Sequence, residues 1–141
     1  MRVLVADDDP TYRELLRNLL ADWHFEMAIV EDGRAAWELL RADESFRIVI
    51  LDWAMPNMDG CEVCQRVRDL GRDDTYILLM TSNPNKEEVL RVLIAGADDY
   101  LAKPFAPAEL KVHLRMATRL LSLQDELRAR DTGAKRAAEP A

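Results

Sequence analysis

IVILDWAMPNMDG, residues 48–60, is the stretch whose reading decides the fold. Four apolar residues, Ile48 to Leu51, describe a strand covered on both faces. They end abruptly in Asp52, and a loop of Met, Pro, Asn, Asp and Gly residues follows. A buried strand gains nothing from a carboxylate at its end, so the charge calls for a chemical reason.

Similar runs recur on either side: RVLVA (2–6), MAIV (27–30), YILLM (76–80) and DYLA (99–102), with RIVIL (47–51) in the middle. Segments of helical period separate them. Tyr12, Leu15, Leu16, Leu19, Leu20 and Trp23 form one stripe within 11–23. The segments 33–42, 61–70 and 87–96 behave likewise, the last closing on Gly96 as a helix C-cap. Five β-α repeats with unalternating central strands indicate an α/β fold: a doubly wound, five-stranded parallel sheet with helices on both faces and right-handed crossovers.

The last helix is expected to run from Pro107 to about Arg130, roughly 36 Å. Leu110, Leu114, Ala117 and Leu121 form its face against the sheet, and Met116, Leu120, Leu123 and Leu127 follow a 4-3-4 spacing, a short heptad seam suited to a parallel homodimer. Residues 1–122 are read as one domain and 123–141 as a helical extension followed by a disordered linker or tail, the latter at 131–141, where the run without Gly or Pro ends.

The bulk properties exclude several classes. The 141 residues, 49% apolar and 32% charged, suffice for one domain. No apolar run approaches the roughly 20 residues of a membrane helix. The start, MRVLVADDD, is too short and acidic for a signal peptide, which makes the cytoplasm the expected location. The net charge of −7 divides into −9 for residues 1–105 (12 basic, 21 acidic) and +2 for the remainder (7 basic, 5 acidic). Such an acidic body disfavours direct contact with nucleic acid, where phosphate contacts dominate affinity. Cys61 and Cys64 form a CxxC, but a nine-residue loop separates it from the preceding strand, and the bland reading is two small residues one helical turn apart. His24 and His113 are too isolated to complete a zinc site with them.

In open α/β sheets, ligands bind outside the carboxyl ends of the strands, near the point where strand order reverses. With order 2-1-3-4-5, those ends carry Asp7, Asp8 and Asp9, then Asp52, then Thr81 and Ser82, then Lys103-Pro104. Asp9 before Pro10 reads as a helix N-cap with proline at N1. The rest need a joint explanation. Asp7, Asp8 and Asp52 repel one another without a cation, and hard oxygen ligands suit Mg²⁺. Lys103 adds positive charge and Thr81 a donor, which together describe a phosphoryl site. Asp52, on the middle strand, is the candidate nucleophile, accepting a phosphoryl group as an acyl phosphate.

The acidic pair Asp7-Asp8, DWAMPNMDG (52–60), MTS (80–82) and GADDYLAKPF (96–105) together resemble the receiver domain of a bacterial two-component response regulator, over residues 2 to about 122. The resemblance implies a (βα)5 fold and phosphotransfer from a sensor histidine kinase or phosphotransfer protein. It implies Asp8 and Asp52 as direct Mg²⁺ ligands, Asp7 acting through water and the Ala54 carbonyl as a backbone ligand. Thr81 and Tyr100 would be the switch pair, with Ser82 leaving room for the phosphoryl group. Lys103 would contact phosphate, and Lys103-Pro104 would be a cis peptide. Such a domain catalyses its own phosphorylation and slow dephosphorylation rather than multiple turnover. Its conformational switch controls an output domain or partner.

Two alternatives compete. A haloacid-dehalogenase-like phosphotransferase needs a second Asp two residues after the nucleophile, where this chain has Ala54. A receiver-like module that works without phosphorylation would be expected to lack an acid, the Lys or the Thr, and this chain keeps them all.

Overall fold

The computed structural model describes residues 1–138. Five strands, β1 (Arg2–Ala6), β2 (Glu26–Val30), β3 (Phe46–Asp52), β4 (Tyr76–Thr81) and β5 (Asp99–Ala102), alternate with five helices, α1 (Pro10–Asp22), α2 (Gly33–Ala42), α3 (Gly60–Asp69), α4 (Lys86–Ile94) and α5 (Pro107–Ala138). The strands are all parallel in the order β2-β1-β3-β4-β5. Strand order therefore reverses between β1 and β3, at the site expected from sequence.

The central strands present apolar residues in both directions, and the period of two sends them to separate cores. Leu4, Val49, Leu51, Ile77 and Leu79 pack with residues of α2, α3 and α4 on one face. Val3, Val5, Ile48, Ile50, Leu78 and Met80 pack with α1 and α5 on the other. The α5 face is Leu110, Leu114, Ala117 and Leu121, all buried, each leucine contributing roughly 1.5–3 kcal/mol.

Local signals fix the helix ends. The Asp9 side chain accepts from the Thr11 amide, with Pro10 opening α1. Asp32, Asp59 and Asn85 cap α2, α3 and α4 in the same manner, each accepting from an amide three residues on. Gly96 follows α4 with a φ of 109°, the left-handed region in which glycine carries no penalty.

One boundary departs from the sequence reading. The helix expected to end near Arg130 continues to Ala138, so 131–138, read as linker, are helical and α5 reaches about 48 Å. Ala, Lys and Arg are strong helix formers, and Gly133 alone does not outweigh them. The expected tail at 139–141 lies outside the described residues. Past residue 122 α5 still contacts the body. Asp125 accepts two hydrogen bonds from the Arg47 guanidinium, at 3.1 and 3.0 Å, and Arg128 pairs with Asp74 at 3.1 Å. These contacts tie the start of the extension to the lower end of β3 and to the loop that leads into β4.

Gly60 is needed for space rather than for an unusual φ. A Cβ there would lie 2.5 Å from the Asp52 carbonyl oxygen and 2.6 Å from Leu79 Cδ2. Gly60→Ala is expected to cost about 1–3 kcal/mol, the usual range for overpacking, and to push the Asp52 backbone out of place. Chemical unfolding measures the cost, and an unchanged stability would show that the loop gives way freely.

Candidate functional site

Register assembles the site. Ala6 of β1 pairs with Leu51 of β3, so Asp7 emerges beside Asp52. Asp52 pairs with Met80, and Thr81 with Ala102, so Thr81 and then Lys103 emerge along the same edge. Three backbone hydrogen bonds lock this arrangement: Trp53 N–H to the Met80 carbonyl, Gly60 N–H to the Trp53 carbonyl and Lys103 N–H to the Thr81 carbonyl. The Lys103–Pro104 peptide is cis.

Carboxylate oxygens of Asp7, Asp8 and Asp52 lie within 4.8 Å of one another. Among the described residues this is the one cluster of three or more potential metal-ligating side chains. Asp7 is fully buried, Asp52 nearly so, and Asp8 is exposed. Lys103 Nζ stands 2.7 Å from Asp7 and 3.4 Å from Asp52, and 4.0 Å from the centre of the Tyr12 ring. Asp7 also accepts from the Asp9 amide at 2.9 Å. One lysine thus faces three carboxylates. An all-oxygen set of three acids with one compensating charge fits a hard divalent cation such as Mg²⁺, with Asp7, Asp8, Asp52 and the backbone at the exposed residue Ala54 as candidate ligands.

The electrostatics agree. Burial first, then the Asp7 charge, pushes the Asp52 carboxyl from 3.8 up to about 6, against the pull of Lys103. Burial works to lower the Lys103 ammonium, but its hydrogen bond to Asp7 and the Asp52 charge hold it above its ordinary value. For Asp52 the sign of the linkage is definite. A carboxyl raised in the folded state binds its proton more tightly there than in the unfolded chain. Its contribution is therefore lost as pH rises from about 4 to about 6, by as much as about 3 kcal/mol. Without divalent cation, unfolding free energy is expected to fall across that window, and Asp52→Asn to remove this component. Equal pH profiles for the two proteins, measured by urea titration, would contradict the assignment.

A cavity of about 160 Å³ beside Asp52 is lined by Trp53, Ala54, Thr81, Ser82, Asn83 and Glu88. A broader mouth, bounded by Asp8, Trp53, Ala54, Met55, Pro56 and Asp59, opens on the other side. Thr81 is buried, while Ser82 and Ala54 are exposed. Tyr100 sits half-buried on β5, in register with Leu79, and packs on the α4 side of the sheet, the side that Leu79 and Thr81 share. The residues singled out at the strand ends therefore share one edge, with Tyr100 two positions below it. Met116, Leu120, Leu123 and Leu127 lie away from it, all exposed on α5.

Sequence reasoning missed Glu88. It is the third residue of α4, and Asn85-x-x-Glu88 has the spacing of a capping box. The Asn85 amide is taken by the Asn83 carbonyl, and the Glu88 carboxylate instead accepts from the Thr81 hydroxyl at 3.4 Å. The CxxC has no comparable chemistry. Burial pushes the Cys61 thiol up to about 11 and that of Cys64 to about 12, and both cysteines are free. They stay protonated at neutral pH and are poor nucleophiles.

The sequence profile of the response regulator receiver domain matches residues 3–115. Response regulator MprA of Mycolicibacterium vanbaalenii is 42% identical over 125 residues, spanning 89% of this chain and 53% of that protein. The chain thus spans about half the length of this curated relative. A chemotaxis protein CheY homolog of Campylobacter jejuni is 38% identical over 116 residues, 81% of this chain and 89% of that protein. The solved structure of a probable two-component system response regulator/GGDEF domain protein superposes with a TM-score of 0.79 at 26% identity, covering 86% of this chain and 50% of that one.

Proposed function

Since this chain belongs to the response regulator receiver family, we propose that it accepts a phosphoryl group on Asp52 from a sensor histidine kinase or phosphotransfer protein, in a Mg²⁺-dependent reaction. The observation that carries this reading is the approach of three carboxylates within 4.8 Å, with Lys103 against two of them. An Asp52 carboxylate oxygen attacks phosphorus. The bond to the donor's leaving atom breaks, that atom keeps the electron pair, and an acyl phosphate forms. Asp7, Asp8, Asp52 and the Ala54 carbonyl would hold Mg²⁺, which would supply charge neutralisation for the incoming phosphoryl oxygens. Lys103 neutralises Asp7 and Asp52 and reaches the phosphoryl group. Thr81 donates its hydroxyl proton to a phosphoryl oxygen, and Ser82 presents little bulk. Movement of Thr81 frees space on the side of the sheet where Tyr100 packs, and the two form the switch.

The test uses beryllofluoride, a phosphoryl mimic, with Mg²⁺. Wild type is expected to show amide NMR shifts from residue 52 through 81 to 103, and chelation to abolish them. Shifts independent of Asp52 or of Mg²⁺ would oppose the reading. A phosphorylation-independent interaction module is disfavoured because no member of the acidic, hydroxyl and lysine set is missing.

The output reading is a phosphorylation-sensitive parallel dimer through α5. Met116, Leu120, Leu123 and Leu127 are all exposed, an apolar stripe that is a liability in water unless covered. Two heptads alone are marginal, and the face near Tyr100 supplies the rest. Wild type is expected to sediment as a reversible dimer with beryllofluoride at tens of micromolar, and Leu120→Asp/Leu127→Asp as a monomer. A wild type that is monomeric in both states would remove the dimer.

A further inference from the structure

The geometry points to Glu88 as a positioning residue that holds Thr81 in the resting arrangement and sets how readily the site takes a phosphoryl group. This rests on the phosphoacceptor reading of Asp52 and assigns a role to a residue outside it.

The Thr81 side chain is committed on both of its polar functions. Its hydroxyl donates to Glu88 Oε2 at 3.4 Å, and its oxygen accepts from the Asn83 amide at 3.2 Å. Both partners come from the 83–88 segment that opens α4. Thr81 is buried and lines the 160 Å³ cavity together with Asp52 and Glu88. A hydroxyl has a single proton. If a phosphoryl oxygen on Asp52 takes that proton, Glu88 must release it.

Charge acts in the same direction. A phosphoryl group brings about −1.5 to −2 charges at neutral pH, into a cavity whose wall already carries the Glu88 carboxylate. The Glu88 amide is bound to the Asn85 cap at 2.9 Å, so α4 keeps its N-terminal anchor while the side chain turns away. Release of Thr81 is thereby linked to repositioning of one side chain at the start of α4.

The experiment is a beryllofluoride titration in Mg²⁺ of wild type, Glu88→Gln, Glu88→Ala, Thr81→Ala and the Thr81→Ala/Glu88→Ala pair, read by amide NMR. Asp52→Asn is the control. Losing one hydrogen bond to a charged acceptor in the resting state is expected to tighten apparent binding by about tenfold for Glu88→Ala. Glu88→Gln, which keeps the shape and a neutral acceptor, is expected to fall between. The gain should shrink in the Thr81→Ala background, because the two residues act through one bond. A general effect of α4 stability would not show that coupling. Unchanged or weaker binding in both Glu88 variants, or a gain undiminished without Thr81, would overturn the proposal while leaving the phosphoacceptor reading intact. If Glu88→Ala does not fold, Glu88→Gln decides. A wild type that binds no beryllofluoride at Asp52 would sink both.

Discussion

Replacing Asp52 by Asn is expected to abolish phosphoryl uptake and, in the absence of Mg²⁺, to make the protein more stable than wild type. The two effects share one cause. The carboxylate sits nearly buried against Asp7, with its ionisation pushed up to about 6. Folding therefore holds an anion where a neutral group is preferred. An amide of the same shape can accept from Lys103 and donate to a neighbouring carboxylate, and it removes a nucleophile that has no substitute. The gain at pH 7.5 is bounded by the shift itself, about 3 kcal/mol. Added Mg²⁺ should stabilise wild type more than Asp52→Asn and narrow the gap. A variant no more stable than wild type without metal would show that Lys103 already compensates the charge in full.

The second large effect belongs to Lys103. Its side chain is 7% exposed, and its ammonium serves Asp7, which is fully buried, at 2.7 Å. Lys103→Ala leaves that carboxylate uncompensated, and breaking a buried pair from one side costs about 3–5 kcal/mol. The loss should shrink in Mg²⁺, because a cation at the same acids replaces part of the missing charge. Lys103→Arg is the sharper test of geometry. A guanidinium is planar and longer, and the ammonium stands between Asp7, Asp52 and the Tyr12 ring. Arg is expected to recover most of the stability and little of the beryllofluoride response. An equal response in the two proteins would show that only the charge matters.

The sheet was legible because each central strand is a run of apolar residues with a polar residue at its exit. RVLVA and DYLA fold end to end as β1 and β5. The edges of β2 and β3 were less legible. Glu26 and Phe46 belong to their strands because both register with Arg2, a pairing that no local pattern encodes. The gathering of Asp7, Asp8, Asp52, Thr81 and Lys103 at one edge follows from topology once strand order is known. It was readable from the sequence because parallel strands all deliver their last residues to the same side.

What escaped depends on contacts distant in sequence or on a choice between two local partners. Arg47 and Asp125 are 78 residues apart, and surface charges carry no periodic mark of their partners. Arg68 is a similar case. It donates to the carbonyls of Arg72, Thr75 and Gly96 and to the Asp98 carboxylate, binding α3 to the loops that lead into β4 and β5, yet in sequence it is one of several helix arginines. Glu88 has the spacing of a capping residue, and no local pattern separates that role from a contact with Thr81. The Asn85 amide is already satisfied by the Asn83 carbonyl, so the carboxylate turns toward Thr81. α5 passes its expected end because Gly133, the first glycine after Pro107, does not stop the helix.

The central claim is that Asp52 carries the phosphoryl group, and its most direct test is intact-mass and fragmentation analysis after incubation with acetyl phosphate. One added phosphoryl group is expected, assigned to Asp52, present with Mg²⁺ and absent after chelation. Label that persists in Asp52→Asn, or that maps to another residue in wild type, would contradict it.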